Sequence, residues 1–136
     1  MLCAIRKSPN FFFPAKKFIR NSFCSQTDSR FEILANKELE TVADSVDSQI
    51  GDNSDLDASV ELHEGVLTID FSGPKNGTFV INKHTASRQI WYSSPVSSPA
   101  YFDPVDSEWI SKRLGMSLRN KLVVDVEKLV NIRLDL

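Results

Sequence analysis

Residues 28–136 read as one α+β domain, a two-layer sandwich in which an antiparallel sheet of about five to seven strands carries N- and C-terminal helices on one face. Three observations predict it. Apolar residues recur at helical spacing at the start of this stretch and again near its end. Between them the spacing changes to two, in short runs separated by turn chemistry. The connections between those runs are too short for a parallel crossover, so neighbouring strands must be antiparallel.

Phe31, Leu34, Ala35, Leu39, Val42, Val46 and Ile50 fall at steps of three and four and make one stripe of a first helix. Gly51, Asp52 and Asn53 supply its stop. Val60, Leu62, Val66, Leu67, Ile69 and Phe71 then alternate with polar residues around Glu64-Gly65, as a hairpin or two short strands. Residues 72–77, SGPKNG, are turn chemistry throughout. Strands are expected over 78–83 and 88–94, joined by a turn at 83–87. Pro95 and Pro99 bracket a loop, because proline lacks the N–H that a central strand needs. Short strands follow at 100–103 and 108–110. Ser117 caps a second helix, with Leu118, Leu122, Val126, Leu129 and Val130 on one stripe. Ile132, Leu134 and Leu136 alternate like a final short strand. Two end helices can both bury their stripes only by sharing one sheet face, which leaves the other face to solvent or a partner.

Charge divides the chain. Residues 1–26 hold Arg6, Lys7, Lys16, Lys17 and Arg20 and no acid, residues 28–70 hold 12 acids against two bases, and residues 71–136 hold 6 acids against 9 bases. So acidic a domain repels phosphate backbones, which argues against nucleic acid as a partner. Both cysteines, Cys3 and Cys24, lie in the basic stretch. A domain freed of it has no thiol for a disulfide, a nucleophile or a cluster ligand. Residues 1–26 are also rich in Phe and Ser, the composition of an organellar transit peptide that is removed. A basic tail is the plain alternative. The expected destination is the mitochondrial matrix or a reduced organelle of the same descent. No run approaches the roughly 18–20 apolar residues of a membrane span.

Glu32, Glu40, Asp44 and Asp47 lie on the helix side away from the apolar stripe, and Asp52, Asp55 and Asp57 follow. Like charges at such spacing cost about 0.2–0.5 kcal/mol per pair, with Lys37 alone near to offset them. The plain reading is a solvated helix face. The functional one is a loose, exchangeable site for a hard or borderline cation such as Fe²⁺, Mn²⁺, Ca²⁺ or Mg²⁺. No calcium loop and no His-x-x-x-His or Glu-x-x-His pair is present.

The segment over 77–95, GTFVINKHTASRQIWYSSP, carries a family resemblance. Its VINK and QIW-x-SSP, with the preceding GVLTI and the closing RLDL, resemble the frataxin family over about residues 30–136. That resemblance implies the helix–sheet–helix sandwich and weak iron binding on Glu32, Glu40, Asp44, Asp47, Asp55 and Asp57. It implies a non-enzymatic activator or iron donor that docks on the complex of cysteine desulfurase and iron–sulfur scaffold. The docking surface it implies is Asn82, Gln89 and Trp91 on the open sheet face, with Lys83 and Arg88 beside them. Ferroxidase activity or iron buffering is the rival function, and the state expected is a monomer that can form iron-dependent oligomers.

Alternation agrees for the tryptophan: Ile90 points opposite to Gln89 and Trp91, so if Ile90 is core then Trp91 faces outward. Trp109 reads as packing, and His63 and His84 as ordinary exposed residues. Ser93 and Ser94 have no base beside them, which speaks against a serine nucleophile. Asn36 and Lys37 stand where many relatives carry acids, shifting expected iron capacity toward Asp44, Asp47, Asp55 and Asp57. Tyr101 replaces a basic residue of some relatives. A chain closing at Leu136, without a longer C-terminal tail, is expected to be less stable.

Overall fold

The computed structural model describes residues 21–136, the first six of them by backbone alone. The leader expected over 1–26, with Cys3 and Cys24, therefore lies outside the residues whose side chains are described. Helix α1 (Asn21–Gly51) comes first, then strands β1 (Ala58–His63), β2 (Val66–Phe71), β3 (Gly77–His84) and β4 (Gln89–Ser93). Strands β5 (Ala100–Val105), β6 (Glu108–Ser111) and β7 (Met116–Ser117) lead into helix α2 (Leu118–Val130). The seven strands form one meander, each antiparallel to the next.

Turn chemistry sets the register. Glu64 (φ 48°) and Gly65 (φ 79°) both adopt the left-handed region that a two-residue hairpin demands. A Cβ on Gly65 would also lie 2.7 Å from Cε of Lys83, so that flexible side chain would have to shift. Strand β5 changes partner midway: Ala100, Tyr101 and Phe102 pair with β4, whereas Asp103, Pro104 and Val105 pair with β6. Pro104 is tolerated because pairing to β4 has ended before it.

The predicted helix stripes meet one face of the sheet. Phe31, Ala35, Leu39, Val42, Val46 and Ile50 of α1 and Leu118, Leu122 and Val126 of α2 are buried. They cover Leu67, Ile69, Phe71, Phe79, Ile81, Ile90, Tyr92 and Phe102. Trp109 is core as expected, edge-on to Phe31 with ring centres 5.8 Å apart. Ser117 caps α2, its Oγ accepting from the Asn120 N–H at 3.3 Å.

Four details depart from the sequence reading. Helix α1 begins ahead of Phe31, at Asn21. Leu62 and Val66, counted in the alternating apolar set, are 38% and 37% exposed: one stands on the outer strand, the other on the open side. Strand β7 was not anticipated. Residues 131–136 form no strand; instead the Gln49 amide bonds both backbone groups of Asp135, each at 2.8 Å. A side chain there takes the place of a neighbouring strand, and Leu134 is buried beneath.

A buried polar knot under the 94–99 loop was not part of the sequence reading. Asp125 has no exposed surface and accepts hydrogen bonds from Tyr92 Oη (2.8 Å), Ser97 Oγ (2.5 Å) and Lys121 Nζ (3.0 Å). Lys121 also donates to Ser97 Oγ at 2.8 Å. Burial alone raises a carboxyl's pKa, but the bonds from Ser97, Tyr92 and Lys121 outweigh it and hold Asp125 below its ordinary value. Burial, then the neighbouring carboxylate, pushes the Tyr92 phenol up. The knot ties the loop after β4 to α2.

Asp125→Ala leaves Lys121 buried without its counter-charge and should cost about 3–5 kcal/mol in urea unfolding, most of it recovered by adding Lys121→Leu. Because the folded pKa is lowered, the Asp125 contribution is present above the ordinary carboxylate range and is lost as pH falls through the depressed value. Acid unfolding should accordingly be shallower in Asp125→Asn. A single variant within about 0.5 kcal/mol of the parent would show that the knot contributes nothing to stability.

Candidate functional site

The uncovered face of the sheet carries a cross-strand row. Val66 on β2, Asn82 on β3, Trp91 on β4 and Tyr101 on β5 are register partners in succession. Ile90 is fully buried on the other side, so Trp91 faces outward, as alternation predicts. Its indole does not project freely. The His84 ring lies flat on it, 3.8 Å between centres and 10° between planes, and Tyr101 meets it edge-on at 5.2 Å. The Trp91 Nε1–H is buried without a hydrogen-bond partner among the described residues, which costs about 1–3 kcal/mol. A shallow depression of about 150 Å³ opens here, lined by Val80, Asn82, Trp91, Ser93, Pro99 and Tyr101 among others.

Gln89 stands on the same face and donates to Asp103 Oδ1 at 2.9 Å. That bond, aided by Lys112, holds the Asp103 carboxyl below its usual range although burial opposes the shift. Lys83 does not share the surface. It pairs with Ile90 in register and so points to the helix side, where its ammonium meets Glu32 and donates to Asn36 Oδ1 at 2.9 Å. Arg88, at the left-handed end of the 85–88 turn, bonds Asp28 of α1 at 3.0 Å. Both basic residues tie strand ends to α1. His84, read from sequence as ordinary, is part of the aromatic cluster; a ring two residues along β3 from the outward Asn82 was the available signal.

The acidic face of α1 divides in the same way. Glu32 accepts from Lys83 and, at 2.6 Å, from Thr85 Oγ1. The Lys83 bond first, then the Thr85 bond, holds its carboxyl below the usual value. Glu38, on the other flank, grips the Arg119 fork with two bonds of 2.8 Å, the first reason the Arg119 guanidinium pKa is raised. Glu40, Asp44, Asp47, Asp55 and Asp57 are exposed. Among the described residues, no three His, Cys, Asp or Glu side chains gather into a preformed metal site. The exposed carboxylates offer separate, hydrated ligands and no built cage.

A family model described as "Frataxin-like domain" matches residues 24–132. The chain is 38% identical over 97 residues to the mitochondrial frataxin homolog of Saccharomyces cerevisiae, covering 71% of this chain and 55% of that protein. It is 40% identical over 101 residues to the mitochondrial frataxin of Dictyostelium discoideum, covering 73% of this chain and 51% of that one. The chain thus spans about half the length of these two relatives. Among solved structures, trimeric yeast frataxin complexed with ferrous iron superposes with a TM-score of 0.64 at 37% identity, covering 73% of this chain and 87% of that one.

If Lys83 is what depresses Glu32, then Lys83→Met should return the Glu32 carboxyl toward its ordinary value, read by carboxyl-carbon NMR titration. The stability that this pair supplies is present above the ordinary glutamate range and lost as pH falls through the lowered value. A Glu32 titration identical in parent and variant would rule out the assignment.

Proposed function

The chain belongs to the frataxin family, and on that footing we propose that it is an accessory protein of iron–sulfur cluster assembly, docking on the cysteine desulfurase–scaffold complex. It is a mitochondrial protein, as its relatives are; the matrix is the proposed compartment. The observation that carries the reading is the row on the open sheet face, with half-buried Trp91 at its centre between exposed Val66 and Tyr101. A large aromatic side chain beside a shallow depression, flanked by polar Asn82 and Gln89, has the make-up of an interface anchor. The partner-facing set proposed is therefore Asn82, Gln89 and Trp91. Lys83 and Arg88 act behind it, tying its strands to α1.

Iron enters this reading as cargo. A yeast relative has been solved with ferrous iron, and hard carboxylate oxygens suit Fe²⁺. The candidate ligands here are Glu40, Asp44, Asp47, Asp55 and Asp57. Glu32 is already engaged by Lys83 and Thr85. Carboxylates this dispersed favour weak binding and transfer over storage.

Trp91→Ala should weaken binding to the purified desulfurase–scaffold complex by roughly 30-fold or more, with matching loss of stimulated cluster synthesis and an unchanged circular dichroism spectrum. Undiminished stimulation would defeat the docking reading. For iron, combined Glu40→Gln, Asp44→Asn and Asp47→Asn should lower Fe²⁺ uptake in anaerobic titration calorimetry, whereas Glu32→Gln should leave it as it was. The reverse pattern would restore Glu32 to the metal surface.

A further inference from the structure

We infer that His84 is a positioning residue for docking: it clamps the Trp91 indole in the pose presented on the open face and so raises affinity without being the anchor. The inference rests on the docking reading above. Its geometry is a relay of contacts that starts on α1. Glu32 Oε1 accepts from Thr85 Oγ1 at 2.6 Å and fixes the turn between β3 and β4. Within that turn, Ser87 Oγ lies 2.8 Å from His84 Nδ1, and the Ser87 backbone N–H donates to the same nitrogen at 3.3 Å. The ring is thereby fixed in plane and lies flat on the indole.

Tyr101 closes the cluster edge-on. Trp91 is therefore held by ring contacts rather than through its N–H, which has no partner among the described residues. A tryptophan free on a sheet surface pivots about two side-chain torsions, and ordering those torsions on binding subtracts from affinity. An indole fixed beforehand avoids that loss. An aromatic pair of this kind corresponds to about a three- to tenfold change in an equilibrium constant. His84 reaches this effect from the strand next to the anchor.

The experiment titrates the full chain onto the immobilised desulfurase–scaffold complex, comparing the parent with His84→Ala, His84→Phe and Trp91→Ala. Acrylamide quenching of the Trp91 emission, isolated as the difference from a Trp91→Phe reference, is measured on the free proteins. His84→Ala should weaken binding about three- to tenfold and raise quenching while the unfolding midpoint stays in place. His84→Phe, which keeps a flat ring, should restore both. If Trp91→Ala loses binding but His84→Ala does not, the positioning role is overturned and docking stands. If Trp91→Ala binds like the parent, docking itself fails, and the inference with it. Should His84→Phe bind as weakly as His84→Ala, the imidazole touches the partner directly and the clamp is overturned.

Discussion

Two helices sharing one face of a seven-strand meander is the constraint on which the rest depends. With both apolar stripes spent on that face, every inward residue of the central strands is fixed, and every outward residue is fixed with it. Ile90 cannot slip by one position without driving Trp91 into the core. The outward row is thus specified by packing on the far side of the sheet. It needs no selection of its own to stay in register. That is why a surface with little internal stabilisation can hold a defined shape.

The ends of the central strands are fastened by charge. Lys83 and Arg88 bind the β3 and β4 ends to α1, Arg119 and Glu38 join α2 to α1, and the Asp125 knot fixes the loop after β4. These ties differ in kind. Asp125, Lys121 and Tyr92 of the knot are buried, so its worth lies in mutual satisfaction of its groups and it is intolerant of losing one. The others are partly exposed and individually modest. Together they surround the outward row with short, anchored connections, so that turn motion does not blur it.

The helices, the Glu64-Gly65 hairpin, the Ser117 cap and the outward Trp91 were legible in sequence because each rests on local spacing or on one residue's chemistry. What was illegible required partners distant in sequence. The side of the sheet that Lys83 takes follows from counting strand positions. Its bond to Glu32, 51 positions away, does not. Lys121 and Asp125 sit at helical spacing within the α2 stripe, between apolar Leu118 and Val126. That was a sign of a buried pair, and an inward Tyr92 in need of an acceptor was another. Strand β7 is two residues long and leaves no period to read. The tail alternates as a strand does, yet its partner is a glutamine side chain, which no periodicity reports.

A count of acids on α1 overstates the charge a cation would meet along it. Glu32 and Glu38 are neutralised from within by Lys83 and Arg119. Glu40, Asp44 and Asp47, which form no ion pair among the described residues, lie toward the C-terminal half, followed by Asp52, Asp55 and Asp57. That end of a helix already carries the negative pole of its macrodipole, and the last turn holds no basic residue. The molecule thus concentrates self-repulsion at one corner. A counter-ion settling there would relieve it through charge alone.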